Sequence, residues 1–304
     1  MNNYQKLLKQ FYQYKNIKIF KKIITDKKKI FFIKKNNKLS VLKIYLKGDT
    51  YREYNNEIKG YLYFKKKRLF KIANLINYSK NSKIYFIEID YIKGKKANFF
   101  DYNKIFKKNI KISKKISFKS YIDKFSKFYS LRKDMEFLKI EYKINNYLTN
   151  KYKSSKLGVS SSHGDLANYN CIKKNNDIYV FDFEKFKERI FLFDSINWLF
   201  HTLISNVSSI FVTNDFLLKN KVLINVILKY FKFFIYIKLK NILDKNKISN
   251  KEFCKYYLIY LYEKLYILLT DVNYVNNSKN RILTKKFILV IKHNINLILT
   301  NEKL

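Results

Sequence analysis

The stretch SSHGDLANYN, residues 161–170, places an aspartate and an asparagine five residues apart on a segment that also holds a histidine and a glycine. Asp165 is a carboxylate able to accept the proton of a hydroxyl. Asn170 offers a neutral amide oxygen suited to magnesium. On a compact loop this spacing brings both oxygens to one side. The apolar run YVFDFE follows after the turn KKNND and ends in Asp182 and Glu184. Alternation along an extended segment would put these two acids on the same face, and a hairpin would return them next to the Asp165 loop. Three or four oxygen donors then converge without a His or Cys ligand set. That chemistry points to a hard cation, magnesium, and away from zinc. The plainer reading makes Asp165 and Asn170 a capped turn. The hairpin that follows favours chemistry for Asp165 and Asp182, and leaves Glu184 open between a metal contact and a surface acid.

Several elements must position these groups. Residues 17–47 read as three short strands, IKIFKKII, KKIFFIKK and LSVLKIYL, separated by TDKK and KNN, on their alternation and β-branched or aromatic content. YREYNNEIKGYLYFKKK, residues 51–67, carries apolar residues at spacings of three and four and predicts a helix. FKIANLIN and KIYFIEIDYIKG read as two further strands. Beyond Gly94 the pattern turns helical, over 118–131, over 134–149 and from 194 onward, interrupted by two short strands within 171–183. The expected organisation is an N-terminal lobe over 1–88, a hinge at 89–94 and a helical C-terminal lobe over 95–304.

Composition narrows the classes. At 47% hydrophobic and 29% charged the 304-residue chain is globular. Its net charge of +41 suggests nucleic acid or an anionic membrane as a partner. Two features discount nucleic acid. Proline is absent and Lys, Asn, Ile, Phe and Tyr are abundant, so A/T-rich codons account for much of the lysine excess. Only five arginines are present, and base and phosphate recognition leans on the guanidinium fork. No specific nucleic acid is expected, while weak association with an anionic membrane surface stays open. Two cysteines without a CxxC pair suggest neither a disulfide framework nor a zinc site. The N-terminus has no apolar signal core, and SINWLFHTLISNVSSIFVTN, residues 195–214, reads as a buried helix and not a membrane span. The expected location is the cytoplasm.

HGDLANYN followed by FDFE resembles the aminoglycoside phosphotransferase and choline kinase superfamily, which has a protein-kinase-like fold and the loop pattern His-x-Asp-x-x-x-x-Asn followed by a strand-borne Asp. The likeness continues into FLFDSINWLF, with Asp194 at the start of the next helix, so the motif core spans residues 161–200. SVLKI looks like the nucleotide-binding strand with its lysine, Lys43. NEIKGYLYF looks like the helix whose Glu57 pairs that lysine, with Glu53 one turn earlier as the competitor. IEIDYIKG looks like the hinge that meets adenine, through Asp90, Tyr91 and Ile92.

The resemblance implies a two-lobed α+β fold and an ATP- and magnesium-dependent phosphotransferase with an alcohol group as acceptor. Asp165 would be catalytic. Asn170, Asp182 and Glu184 would face the metal, and Lys43 would hold the phosphates. His163 and Asp194 would support the catalytic loop, with the glycine between His163 and Asp165 letting the backbone pass close. One departure is TDKK, the loop between the first two strands, which has no glycine to wrap phosphates. Trp198 and His201 read as core residues and Cys171 as a small buried one. Acids are sparse beyond Asp194, so a neutral or anionic acceptor fits better than a cationic one. A sugar or surface-polysaccharide intermediate is the expected acceptor. The alternatives are choline, ethanolamine or an aminoglycoside, and a non-catalytic binder of nucleic acid or anionic membrane that reuses the fold.

Overall fold

The computed structural model describes residues 17–25, 28–45, 50–68, 70–79, 85–106, 112–122, 135–152, 156–213, 220–272 and 278–300. The N-terminal segment read for a signal core lies outside these residues. So do Asp26 and Lys27 of the first loop and most of the helix expected over 118–131.

The chain divides into two compact units. One joins Met1–Ile105 to Asn168–Lys187, and the other joins Phe106–Ala167 to Glu188–Leu304. The expected hinge at 89–94 is not where this division falls. Strand pairing explains the difference. The hairpin of β10 (Cys171–Lys174) and β11 (Asp177–Val180) sits in a sheet of order β4-β11-β10-β7, with β4 at Lys71–Ile72 and β7 at Lys95–Lys96. The segment FKIANLIN is therefore not one strand. Its start pairs with the hairpin and its end opens β5 (Leu75–Ser79).

The first unit is built on an antiparallel sheet of order β1-β2-β3-β6-β5. Here β1 is Ile17–Ile24, β2 is Lys28–Lys35, β3 is Lys38–Tyr45 and β6 is Tyr85–Asp90. Asn36 and Asn37, at φ 46° and 62°, form the two-residue turn between β2 and β3. Asparagine tolerates that left-handed geometry, which matches the twist of a hairpin. Phe31, Ile33, Leu42, Ile44 and Phe86 form a core on one face. The opposite residues of β3, Lys43 and Tyr45, are buried as well. Helix α1 (Thr50–Lys67) buries Tyr54, Glu57, Ile58, Tyr61 and Phe64. Glu53 in its first turn and Lys65 to Lys67 in its last complement the helix dipole. Arg68, at φ 51°, ends it.

The second unit holds α3 (Met135–Tyr152), α4 (Phe193–Thr213), α5 (Lys221–Lys245), α6 (Asn250–Val272) and α7 (Ser278–Thr300), after the short α2 (Tyr102–Phe106) of the preceding segment. From Tyr256 to Tyr262 every residue of α6 is buried. A helix apolar all round is a central one, and each fully buried large apolar side chain stabilises by about 1.5–3 kcal/mol. Trp198 and Phe200 of α4 are fully buried in this unit. A small sheet of order β12-β9-β8 (Lys187–Ile190, Lys156–Ser162, Lys114–Ser117) was not expected in a region read as helical. Strands β8 and β12 have four residues each, and β9, KLGVSSS, ends in three serines, so none carries an alternation signal.

Candidate active site

In the first unit, Lys43 projects from β3 away from the apolar core. Its ammonium lies 2.7 Å from Glu57 Oε1 and 2.6 Å from Asp182 Oδ1. Glu57 is fully buried on α1, whereas Glu53 is only partly covered. Tyr45, two residues along the same face, donates its hydroxyl proton to Glu57 and lies 3.2 Å from Glu184 Oε1. Lys28 pairs with Tyr45 across β2 and β3, so it shares that face. It donates to Glu184 and stands 3.9 Å from Asp182. The carboxylates of Glu57, Asp182 and Glu184 lie within 4.8 Å of one another, an oxygen set of the kind a hard cation takes.

The two acids reach this cluster by a route the sequence did not predict. Strand β11 ends at Val180, and Asp182 sits at φ 70°, so simple alternation does not align Asp182 with Glu184. Packing and hydrogen bonding hold the turn. Phe183, between them, is fully buried against Tyr61, ring centroids 4.7 Å apart, and against Phe64 at 5.2 Å. Gly60 of α1 meets it so closely that an added Cβ would lie 2.5 Å from Phe183 Cβ. Asn56 donates to the Glu184 carbonyl at 3.1 Å.

These contacts set the charges. Burial by itself would lower the Lys43 pKa, but Asp182 and Glu57 hold the ammonium well above its ordinary value. Lys28 is likewise raised, with Asp182 and Glu184 outweighing its burial. Burial first, and the Asp182 charge second, push Glu184 up to about 7 against the pull of both lysines.

Asn170 also belongs to the first unit. It closes a 3-10 turn, Asn168–Asn170, and its carbonyl accepts from Phe181 N–H at 3.2 Å, so it opens the hairpin that leads to Asp182. Asp90 and Tyr91 spend their N–H groups within the sheet, on Asn74 O at 2.9 Å and Leu39 O at 3.1 Å. Asp90 also accepts from Asn74 Nδ2 at 2.6 Å, and Ile92 follows half-buried.

Asp165 belongs to the second unit. The loop that carries it is anchored by Asp194 in the first turn of α4. That carboxylate accepts from Ser162 Oγ at 2.9 Å, His163 N–H at 2.8 Å and Gly164 N–H at 3.0 Å. Asp194 thus braces the loop. Gly164 adopts φ 85°, a left-handed conformation that explains a glycine at this point. His163 is fully buried, and its Nδ1 receives Asp165 N–H at 3.3 Å. Asn197 of α4 donates to Leu166 O at 2.9 Å and accepts from Tyr260 at 3.2 Å. The Asp165 carboxylate itself is partly exposed and has Lys264 of α6 at 3.3 Å.

Lys28, Tyr45, Asn197 and Lys264 are the residues that sequence reasoning missed. For Lys28 the strand register carries the signal, but a chain this rich in lysine hides it. Lys264 lies in a helix buried all round, where periodicity marks no face.

No family model matches the sequence, and no curated protein matches it either. Solved structures do match. A thermostable mutant of aminoglycoside phosphotransferase APH(4)-Ia, in ternary complex with AMP-PNP and hygromycin B, is similar with a TM-score of 0.60 at 9% identity over 100% of both chains. A microcompartment-associated aminopropanol kinase gives 0.59 at 9% identity, over 96% of this chain and 95% of the other. Amicoumacin kinase in complex with AMP-PNP, Ca2+ and Ami gives 0.54 at 12% identity, over 95% and 93%. At these identities the likeness is one of fold: the chain has the two-lobed, protein-kinase-like α+β fold of the aminoglycoside phosphotransferases.

Proposed function

We propose that the protein is a phosphotransferase that moves the γ-phosphate of ATP to a hydroxyl of a small molecule. The observation that carries this reading is the Lys43 ammonium held between Glu57 at 2.7 Å and Asp182 at 2.6 Å. A strand, a helix and the turn after a hairpin each deliver one of these groups, and the fold is that of solved hydroxyl kinases. Similar proteins have been solved with AMP-PNP, which supports ATP as the donor.

In this reading Lys43, positioned by Glu57, holds the donor phosphates and neutralises charge that develops there. Asp165 accepts the proton of the acceptor hydroxyl, whose oxygen bonds to the γ-phosphorus as ADP leaves. His163 and Asp194 fix the loop that presents it. Asn170, Asp182 and Glu184 would hold magnesium. Asp182 and Glu184, two of the three clustered carboxylates, suit such a hard cation, which when bound would neutralise phosphate charge. Adenine would lie against Asp90 to Ile92. The cation beside Asp165, Lys264, favours a neutral or anionic acceptor, so a sugar or polysaccharide intermediate is preferred over choline or an aminoglycoside.

The test is ATP consumption by the purified chain against a panel of hydroxyl compounds, with magnesium and with a chelator. Transfer to one acceptor class that stops with the chelator supports the reading. A chain that binds no nucleotide overturns it.

A further inference from the structure

Helix α5 is apolar on two opposite faces. Ile224, Leu228, Phe231, Ile235, Leu239 and Leu243 are buried inward. Outward, Val222, Val226, Tyr230, Phe233 and Ile237 recur every third or fourth residue and are 49–75% exposed. This outer row runs along about 22 Å of helix. Other exposed large apolar residues among those described are mostly scattered, whereas these form one continuous stripe. Such a stripe on a protein surface marks an interaction site.

Charge identifies the partner. Helix α5 carries six lysines and one acid, Asp244. Lys229, Lys238, Lys240 and Lys245 are exposed on it. A second copy of the chain would bring another strongly cationic helix, and a further +41 overall, against the first. An anionic surface has the opposite effect. Beside the stripe lies a cavity of about 180 Å³ with a mostly apolar lining, between Lys229, Lys232, Phe233 and Tyr236 of α5 and Leu297 and Ile298 of α7. Lysines beside an apolar recess match the chemistry of an anionic lipid, with its headgroup on the ammonium groups and its acyl chain in the recess. An apolar stripe flanked by lysines is also how helices lie in a membrane interface.

We infer that the outer face of α5 docks the protein on an anionic lipid bilayer, lying in the interface without crossing it. No helix among the described residues is long and apolar enough to span a membrane. The inference does not depend on the proposed phosphotransfer.

The experiment is co-sedimentation of the full chain with vesicles of phosphatidylcholine alone and of phosphatidylcholine with phosphatidylglycerol. A variant combining Val226→Ser, Tyr230→Ser, Phe233→Ser and Ile237→Ser serves as the apolar probe, its fold checked by circular dichroism. Wild type should partition onto the anionic vesicles, and the variant should do so about tenfold less or worse. Since any lysine-rich protein adheres to such vesicles, equal partitioning of variant and wild type overturns the inference. Phe233→Trp in the otherwise native chain gives a second readout should the combined variant misfold. Its emission should shift to the blue and be quenched by brominated lipid, and an unchanged spectrum overturns the inference. A concentration-dependent dimer in ultracentrifugation, abolished by the four serines while vesicle binding persists, would make the stripe a self-association face and overturn it as well.

Discussion

Asp194 and Asp182 are aspartates in two different units, and they are held in opposite ways. Asp194 accepts from one hydroxyl and two backbone N–H groups, donors that cannot leave the loop they belong to. Asp182 faces ammonium groups at the ends of long side chains, Lys43 at 2.6 Å and Lys28 at 3.9 Å. A carboxylate tied to the backbone fixes geometry. One matched by lysine ammonium groups meets charge that another cation could also supply. The first unit therefore sets its carboxylates against side-chain cations, and the second spends Asp194 on rigidity. Asp165 stands between the two cases, on a loop braced by Asp194 but with Lys264 at 3.3 Å from its own carboxylate.

The sharpest way to test this contrast is Asp165→Asn. It should keep fold and nucleotide binding and cut turnover by roughly 10²–10⁴-fold, the usual worth of a positioned general base. Transfer and binding are measured separately, and full transfer by the variant removes Asp165 from the working group. Asp194→Ala should act on stability instead. It leaves two buried N–H groups and a hydroxyl without their acceptor, at about 1–3 kcal/mol each. Denaturant unfolding should show a loss of several kcal/mol, and a loss under about 1 kcal/mol would erase the distinction drawn between the two aspartates.

Smaller effects are expected within the lysine cluster. Lys43→Ala should weaken ATP use more than Glu57→Ala does, since in the proposed mechanism the first removes the phosphate cation and the second only its positioning. The reverse order in KM for ATP would reassign the pair. Glu184→Gln should show the smallest effect, and a pH-dependent one. The Glu184 pKa is raised to about 7 in the folded protein, so the native state binds a proton more readily than the unfolded chain does. Folding stability from this group then falls as pH rises from its unfolded pKa through 7. The variant should thus gain on wild type between about pH 5 and pH 8. A difference in unfolding midpoint that does not change with pH would contradict the raised value.

Much of the first unit is legible in the sequence because its elements are local. The meander of β1, β2 and β3 is rich in β-branched and aromatic residues and turns at Asn36 and Asn37. Helix α1 repeats its aromatic residues at helical spacing. What escaped depends on register and on distant packing. Lys28 joins the cluster because it pairs with Tyr45, and no composition reveals a pairing. Asp182 leaves the strand geometry at φ 70°, a turn set by Phe183 and its neighbours on α1. Strands β8 and β12 are four residues long, and β9 trails into three serines, so none stands out. In the second unit α6 is buried on every side, so periodicity could not single out Lys264, and the exposed row on α5 looks in sequence like one more core face.

Gly60 gives this chain an unusual genetic constraint. Glycine codons are rich in G and C, whereas this sequence is rich in residues with A/T-rich codons and has only five glycines in 304 residues. At residue 60 an added Cβ would lie 2.5 Å from the side chain of Phe183. Residue 60 is none of those proposed to meet substrate or metal. A mutation there would nevertheless displace the ring that separates Asp182 from Glu184, and with it the spacing of two acids more than 120 positions downstream. Gly60→Ala is therefore the place to seek a temperature-sensitive allele, one whose product keeps every side chain of the proposed site and loses their alignment on warming.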